Sequence, residues 1–374
     1  MTPKIKLLFV IENSCYGGGE KTFSLLIRNL PQDKFEIFCA SLPRGRFYEE
    51  TKEYCRFLPL DLTSKFNFSN IGRLKELLSS NAIDIAHSQG ARADFYCALA
   101  AAKAGVKAVA TVAMPVEGFD VCFVRKNVYK ALNSFAAKKC AAAVTVTGEL
   151  AGRLKGKYPL VKVIPNPVDL LEFSPSNFNA APVIEKFGLR GKLVVGALGR
   201  LENQKGYTHL ISALKLAFDK QPELKDRLKC LIAGSGSLEA KLKKQAEADG
   251  LSGSVVFCGE VGDPRDFLGA VDIFVMPSLQ EGQPLALLEA MAMGKPVVAS
   301  DIPGISGTAE TGREALLVQP ADAAALAAAL LSVVEDMSTA LGMGRSARTK
   351  AEKFGLPAYI SGHETFYSGL LGGR

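Results

Sequence analysis

Short apolar strand patterns alternate with helix patterns along most of this 374-residue chain. This alternation predicts a parallel sheet that helices cover on both faces. In the first half, the strand patterns are Lys6–Ile11, Phe35–Ala40, Ile83–His87, Ala108–Val112 and Ala142–Val146, and the helix patterns are Lys21–Leu30, Ile71–Ser79, Asp94–Ala104, Val124–Lys139 and Glu149–Lys157.

A segment rich in Pro, Ser and Asn interrupts the alternation between Pro165 and Pro182, and such residues break regular structure. The alternation then restarts, so two α/β halves are predicted in a chain too long for one ordinary core. We expect an N-terminal Rossmann-like domain over 1–172, a second over 173–355, and a last helix over 356–374. The second half has strand patterns at Leu193–Leu198, Lys229–Ala233, Val255–Cys258, Ile273–Met276 and Pro296–Ala299, and helix patterns at Tyr207–Lys220, Leu238–Asp249, Pro264–Gly269, Pro284–Met293 and Ala323–Leu331.

Two carboxylates flank the start of one of these helices. Glu281 lies in a Gly/Pro break after a strand pattern, and Pro284 then occupies a position favoured in the first turn of a helix. The start of a helix offers unpaired N–H groups and a positive dipole end, which suit a phosphate. Glu289 follows about two turns further on, where its carboxylate can accept hydrogen bonds from sugar hydroxyls. This stretch therefore predicts a site for a nucleotide sugar.

Cations and glycines occupy other loops that follow strand patterns. Arg200 and Lys205 share one loop, where a planar guanidinium and an ammonium can grip a diphosphate. Gly17 and Gly18 follow the first strand, and Gly234 follows a later one, so that the backbone can approach a ligand closely. Because ligands of such sheets bind at the carboxyl ends of the strands, we expect these loops to border one site.

Two familiar nucleotide motifs are excluded. A P-loop requires Gly immediately before its Lys, and here Glu20 precedes Lys21. A dinucleotide fingerprint would require Gly or Ala at the position of Glu239. No Asp-x-Asp pair and no Cys/His cluster with zinc spacing occurs in the sequence, so we expect no metal site. His87 ends a strand pattern, where a structural role and an active-site role are equally compatible with the sequence.

Four segments together resemble the family-4 retaining glycosyltransferases of GT-B fold, the glycosyl transferases group 1. They are SLQEGQPLALLEAMAMGKPVVASDIPG, GRLENQKG, IPNPVD and GGGEKTF, and the similarity extends over nearly the whole chain. The resemblance implies an α/β fold of two Rossmann-like domains that face each other across a cleft. It also implies transfer of a sugar from a nucleotide-diphosphate sugar with retention at the anomeric carbon, without a metal or other cofactor, and UDP-sugars are favoured over GDP-sugars.

The resemblance further implies roles for individual residues. Arg200 and Lys205 hold the donor diphosphate and stabilise the leaving group as negative charge develops. Glu281 accepts hydrogen bonds from the donor sugar and completes this catalytic set, and Glu289 accepts them from the ribose. The other implied donor contacts are Gly17, Gly18, Gly234, Gly259, Val261, Gly282, Gln283, Pro284 and Leu285.

The chain departs from the family pattern at two positions. Ala113 stands where many members carry a histidine, and Gln89 stands where a second histidine often follows the first. Because these positions usually contact donor sugar or acceptor, Ala113 is a candidate contact of this kind, and His87, two residues before Gln89, is another. Two alternatives stay open: a nucleotide-sugar epimerase of the same fold, and a catalytically silent nucleotide-sugar-binding module. The complete Glu/Arg/Lys set favours an active transferase.

Formal charge is distributed unevenly along the chain. Residues 1–170 carry 24 Lys and Arg against 15 Asp and Glu, a charge of +9, whereas residues 171–374 carry 21 against 23, a charge of −2. A basic half favours an anionic partner or a membrane surface. Because the resemblance is to glycosyltransferases, we do not expect this partner to be a nucleic acid. The amphipathic segment Val121–Lys139 could lie on an anionic bilayer. We therefore expect a glycan or glycolipid acceptor of cell-surface polysaccharide or lipopolysaccharide assembly.

The cysteines and the N-terminus bear on the compartment. Eight cysteines are scattered without a CxxC motif, mostly in apolar runs, which is typical of reduced buried thiols. No sequence of charged, apolar and cleavage regions typical of a signal peptide follows Met1. We therefore expect a cytoplasmic protein that acts at the inner face of a membrane.

Overall fold

The computed structural model describes residues 3–13, 16–64, 67–114 and 123–372, without the side chains of residues 123–126 and 129. The chain forms two compact units, one of Met1–Asn166 with Leu356–Arg374, and the other of Pro167–Gly355. The sequence placed the division later, after residue 172. Val168 accounts for the difference, because it is buried in the core of the second unit and its N–H donates to Phe354 O at 2.8 Å.

The first unit is built on a parallel sheet of order β3-β2-β1-β4-β5-β6-β7. Apolar clusters cover both faces of this sheet, as a parallel sheet requires. The strands are β1 Ile5–Ile11, β2 Phe35–Ser41, β3 Arg56–Pro59, β4 Ile85–Gln89, β5 Lys107–Val112, β6 Ala142–Thr145 and β7 Val161–Val163. The helices are α1 Gly18–Asn29, α2 Gly45–Thr51, α3 Ser69–Ser80, α4 Ala91–Ala104, α5 Phe123–Ala137 and α6 Gly148–Leu154.

The second unit repeats this strand order in a sheet of order β10-β9-β8-β11-β12-β13, again parallel. Both units are therefore Rossmann-like α/β domains, which confirms the predicted fold class. The strands are β8 Leu193–Leu198, β9 Leu228–Ala233, β10 Val255–Gly259, β11 Ile273–Met276, β12 Val297–Ser300 and β13 Leu316–Val318. The helices are α7 Ala181–Phe187, α8 Tyr207–Lys220, α9 Leu224–Arg227, α10 Glu239–Ala248, α11 Pro264–Gly269, α12 Leu285–Ala292, α13 Pro303–Ser306, α14 Ala323–Glu335 and α15 Met337–Ala351.

The strands that the sequence did not predict all lie at sheet edges. They are β3, β7 and β13, and none of their residues is fully buried. A strand is recognised in a sequence by the alternation or run of its buried apolar residues. These short edge strands bury too little to leave such a pattern, so only their pairing with a neighbouring strand identifies them.

Helix α15 was also not predicted, because small and polar residues dominate it. Its Gly344 packs so closely that a Cβ there would lie 2.2 Å from Gly294 O. Close backbone approach, and not a stripe of large side chains, holds this helix against the unit. The hydrophobic pattern on which sequence prediction depends is accordingly weak here.

The last helix, α16 Leu356–Leu370, belongs to the first unit. Its buried residues, Tyr359, His363, Phe366 and Tyr367, recur at helical spacing on one face. This face completes the apolar cluster that contains β1 residues. An ion pair between Lys34 and Glu364 fixes the helix at the surface.

The described cysteines are free thiols. They are Cys39, Cys55, Cys97, Cys140, Cys230 and Cys258, whereas Cys15 and Cys122 lie outside the described residues.

Among the described helices, no single one is both long and apolar enough to span a bilayer. Helix α14 taken together with Met337–Phe354 meets that test as a pair bent by 103°.

Candidate functional site

The two loops with the predicted diphosphate and sugar ligands follow neighbouring strands at the middle of the second sheet. Strand β8 pairs with β9 on one side and β11 on the other, so the strand order reverses at β8. In open parallel sheets, ligands bind at the carboxyl ends of the strands beside such a reversal. Residues 199–206 follow β8 and residues 277–284 follow β11, and they meet at this point.

Lys205 and Glu281 form an ion pair between these loops. Lys205 Nζ lies 2.5 Å from Glu281 Oε1, and Ser278 Oγ donates to the same oxygen at 2.9 Å. The two charged side chains are only 14% and 9% exposed. Loss of hydration offsets much of the attraction in such a pair, so its main effect is to hold both groups in place. Two of the three predicted catalytic residues are thus adjacent.

Backbone contacts join the same two loops. Leu279 N donates to Gln204 O at 2.7 Å. Gly206 has φ +68°, and a Cβ there would lie 2.0 Å from Pro277 O. Only glycine allows both this left-handed backbone and this approach. The sequence did not single out Gly206, although it ends the GRLENQKG run.

Tyr207 is a buried neighbour of the pair that the sequence also missed. A Cβ on Gly199 would lie 3.0 Å from Tyr207 Oη and 3.3 Å from Lys205 Cε, so both side chains border the same backbone. Burial raises the pKa of Tyr207, and the negative charge of Glu281 raises it further. The phenol is therefore a stable hydrogen-bond donor and not a base. In the sequence, Tyr207 begins the helix pattern Tyr207–Lys220 and cannot be distinguished from an ordinary core residue of that helix.

Backbone hydrogen bonds join the carboxyl ends of β8, β9 and β10, where Gly199, Gly234 and Gly259 lie. Gly199 N donates to Ala233 O at 2.9 Å, and Gly234 N donates to Gly259 O at 2.8 Å. Gly234 has φ +129°, and a Cβ there would lie 2.1 Å from Gly199 O. Packing therefore requires a bare backbone at Gly234. Gly234 and Gly259, predicted as donor contacts, lie together on this edge.

The start of α12 has a rigid support. Helix α12 begins at Leu285, one residue after the expected start at Pro284, which is its N-cap. A Cβ on Gly304 would lie 2.2 Å from Gly282 O, so α13 packs directly under this loop. The side chain of Gln283 is buried and donates to Thr308 Oγ1 at 3.4 Å. Gln283 thus presents its backbone, and not its side chain, at the helix start, where the first N–H groups suit a phosphate.

The remaining predicted residues of this unit lie around the pair. Glu289 is in α12, little more than one turn past Leu285, whereas the sequence suggested two turns. Its side chain is 6% exposed. Arg200 is exposed directly after β8, and Val261 is half-buried after β10. Among the described residues, no group of three or more His, Cys, Asp or Glu could hold a metal ion.

In the first unit, Gly17 and Gly18 begin α1 after β1. Gly17 is the N-cap, and its N–H donates to the Glu20 carboxylate at 3.0 Å. A Cβ on Gly19 would lie 2.9 Å from Gln89 Nε2, so the turn after β1 packs on the residue that ends β4. This is the point where the strand order of the first sheet reverses. Ala113 is half-buried after β5, and residues 115–122, which follow it, lie outside the described residues.

His87 is a structural residue, and its prediction as an acceptor or sugar contact is corrected here. Its side chain is fully buried, with Nδ1 2.6 Å from Tyr367 Oη and Nε2 2.7 Å from Thr111 Oγ1. The rings of Phe9, Phe23 and His363 surround it. Helix α16 therefore covers His87, and a ligand cannot reach it. This burial depends on α16, which is distant in the chain but packs beside His87. The sequence therefore could not distinguish a structural role of His87 from an active-site role.

We expect this histidine cluster to make the protein less stable in acid. Burial lowers the pKa of His87 well below its usual value and that of His363 to about 4. The unfolded chain protonates both near pH 6.5, so it binds more protons than the folded protein between about pH 6.5 and pH 4. The free energy of unfolding therefore decreases as the pH falls. His363 alone should account for a loss of roughly 2 kcal/mol between pH 7 and pH 5.

Urea unfolding at several pH values checks this expectation. The variant His363→Gln should show a smaller fall in the free energy of unfolding between pH 7 and pH 5 than the unmodified protein. His209→Gln, on α8 of the other unit, is the matched control and should keep the original slope. Equal slopes in all three proteins would show that the cluster does not couple protonation to folding.

Comparisons with known proteins identify the family of this chain. Residues 16–171 match the family model described as Glycosyltransferase Family 4, and residues 192–336 match that of Glycosyl transferases group 1. The chain is 29% identical over 349 residues to the Escherichia coli UDP-Gal:alpha-D-GlcNAc-diphosphoundecaprenol alpha-1,3-galactosyltransferase, with 89% of each protein covered. It is 32% identical to the lipopolysaccharide core biosynthesis mannosyltransferase LpcC of Rhizobium leguminosarum bv. viciae, over 56% of this chain and 60% of that protein.

Solved structures show the same fold. Anabaena HepE in complex with UDP-glucose superposes with a TM-score of 0.83 and 20% identity, over 97% of this chain and all of that one. Its complex with UDP gives a TM-score of 0.82. Similarity at this identity supports the architecture, and the two family models together span most of both units. The chain therefore belongs to the family-4, group 1 glycosyltransferases, whose fold is GT-B.

Proposed function

We propose that this glycosyltransferase moves a hexosyl group from a UDP-sugar to a glycolipid or glycan, with retention and without a metal ion. The observation that carries the proposal is the contact of Lys205 with Glu281 beside the start of α12. This point combines a cation and free helix N–H groups for a diphosphate with a carboxylate for a sugar. We propose that Arg200 adds the second cation from the loop after β8.

The pair can bind a donor without being broken. An ammonium has three hydrogen-bond donors, so Lys205 can hold Glu281 and a phosphate oxygen at once. The two hydrogen bonds that described residues donate to Glu281 both go to Oε1, which leaves Oε2 to accept from a sugar hydroxyl. Lys205 and the N–H groups of Gly282, Gln283 and Leu285 then face the charge that develops on the leaving diphosphate. We propose that the Glu289 carboxylate accepts hydrogen bonds from the ribose hydroxyls through the small part of its surface that is exposed.

Retention follows in this proposal from a front-face reaction. The bond from the anomeric carbon to the phosphate oxygen breaks, and the acceptor oxygen bonds to the same face of that carbon. The acceptor proton passes to the departing phosphate oxygen, so no protein base is required. The raised pKa of Tyr207 agrees with this, because a protonated phenol beside the pair cannot serve as a base.

The relatives support the choice of donor and acceptor. The E. coli relative is named for UDP-Gal and a diphosphoundecaprenol-linked GlcNAc, and the HepE structures hold UDP and UDP-glucose. We therefore favour UDP over GDP, and an acceptor carried on a lipid in cell-surface glycan or lipopolysaccharide assembly. Such an acceptor would place the reaction at the cytoplasmic face of a membrane.

One assay separates this function from the open alternatives. A transferase releases UDP only together with a glycosylated acceptor, and an NMR spectrum of the product shows whether the anomeric configuration is retained. An epimerase converts the donor with no acceptor present. A silent binding module binds UDP-sugars and turns over nothing, so either of these last two results contradicts the proposal.

Removal of either cation should weaken binding of UDP. A charge-assisted hydrogen bond contributes about 1.5–3 kcal/mol, so Lys205→Ala and Arg200→Ala should each raise the Kd roughly 10- to 150-fold by calorimetry. Lys220→Ala, an exposed cation on α8, is the matched control and should leave the Kd unchanged. An unchanged affinity in the Lys205 and Arg200 variants would refute their assignment to the diphosphate.

A further inference from the structure

The first unit contains a cavity of about 630 Å³ that is separate from the residues assigned to the donor. It lies between α5 and α6, beside the end of β5. Its floor is largely apolar and is formed by Val112, Ala137, Leu150, Leu154 and Tyr158. Its volume is in the range of small-molecule sites. An apolar cavity of this size favours a ligand with a hydrocarbon part.

Four cations surround this floor. They are Lys130, Lys138, Arg153 and Lys157, and no acidic residue is among the described residues that line the cavity. Arg153 pairs with Glu149 at 2.6 Å, outside the lining. Lys138 and Lys157 are exposed and form no ion pair with any described residue. The rim therefore attracts an anion, and the combination of floor and rim fits an amphiphile with an anionic head.

Asn133 gives this cavity a specific polar group. Its Oδ1 is buried and has no hydrogen-bond donor among the described residues. A buried acceptor without a donor is unfavourable by roughly 1–3 kcal/mol, so a ligand hydroxyl that reaches it would stabilise the complex. The ligand should therefore carry a hydroxyl donor close to its anionic group.

We propose that this cavity binds the head of an anionic phospholipid from a bilayer. The phosphate is held by Lys138 and Lys157, a head-group hydroxyl donates to Asn133, and the first chain carbons rest on Leu150, Leu154 and Tyr158. The predicted membrane segment, Val121–Lys139, includes two of the cations, whereas Val121 and Cys122 and the side chains of residues 123–126 lie outside the described residues. The inference does not depend on the donor site or on sugar transfer.

Vesicle sedimentation of the full chain tests the proposal. The protein should bind vesicles that contain phosphatidylglycerol, whose head has a phosphate and hydroxyls, and should not bind phosphatidylcholine alone. Because a cation near an anionic bilayer contributes about 1 kcal/mol, Lys138→Gln with Lys157→Gln should weaken binding by at least tenfold. Lys75→Gln with Lys103→Gln, two exposed cations of the same unit, is the charge-matched control and should have a smaller effect.

A third variant tests the cavity itself and does not depend on net charge at the rim. Asn133→Leu keeps the charge and approximate size but removes the acceptor, and it should weaken binding to phosphatidylglycerol vesicles severalfold while preserving Tm. Equal losses in the two double variants would assign binding to general surface charge and overturn the proposal. Failure to bind anionic vesicles would overturn it as well. Competition by inorganic phosphate at low concentration would show that the cavity is a soluble-anion site and not a lipid site.

Discussion

Replacement of Glu281 by alanine should reduce turnover by about 10²–10³-fold, the range found when one transition-state contact is removed. Glu281 is the carboxylate assigned to the donor sugar, whereas Lys205 is assigned to the diphosphate. The variant should therefore still bind UDP, because Lys205 and Arg200 remain to hold the diphosphate when the partner of Lys205 at 2.5 Å is removed. Turnover with the acceptor and calorimetry with UDP measure the two effects separately.

Two further variants make this result specific. Glu281→Gln keeps the shape of the side chain but removes its charge, so a loss similar to that of Glu281→Ala would assign the effect to charge. Glu239→Ala removes a carboxylate from the first turn of α10 and should leave turnover unchanged. Near-normal turnover of Glu281→Ala would show that this carboxylate does not contact the reacting sugar.

Substitution of Gly206 should have the largest effect on stability. Gly206→Ala places a Cβ 2.0 Å from Pro277 O, so the loops after β8 and β11 must separate. Gly188→Ala is a matched control, because Gly188 also has a left-handed backbone, with φ +62°, but no atom lies within 4 Å of its added Cβ. We expect about 1 kcal/mol of destabilisation for the control and at least about 3 kcal/mol for Gly206→Ala.

Urea unfolding of both variants measures the difference, and UDP calorimetry tests its consequence. If Gly206→Ala folds, separation of the loops should move Lys205 away from the start of α12, where the diphosphate is proposed to bind, and weaken UDP binding, whereas Gly188→Ala should bind normally. Equal destabilisation in the two variants would mean that backbone strain alone is responsible, and that the close approach to Pro277 is easily relieved.

Much of the fold could be predicted because its signals are local. Strands such as β1 and β8 bury continuous apolar runs, and breaker residues mark the change between the halves. The edge strand β7 and helix α15 lacked such signals, since neither buries a stripe of large apolar residues. Starts of the predicted helices lie within three residues of the observed ones, and within one residue at α12, because caps and prolines act over a single turn.

The sequence predicted only some residues of the candidate site. Lys205 and Glu281 could be named because each lies in a motif after a strand. Ser278 opens the segment that contains Glu281, and Tyr207 directly follows the segment that contains Lys205, but an isolated Ser or a buried Tyr carries no pattern that reveals a role. Glu289 was placed correctly on a helix, yet its burial at 6% exposure depends on what packs around α12.

The sequence by itself determined two α/β halves and the loops in which cations, glycines and acids follow strands. Only the tertiary structure decided which of those loops meet. Lys205 and Glu281 are 76 residues apart, and their contact depends on β8 lying next to β11. His87 meets Tyr367 across 280 residues because α16 returns to the first sheet. Local periodicity encodes elements, whereas strand order and helix return arise from packing between residues far apart in the chain, which no local pattern records.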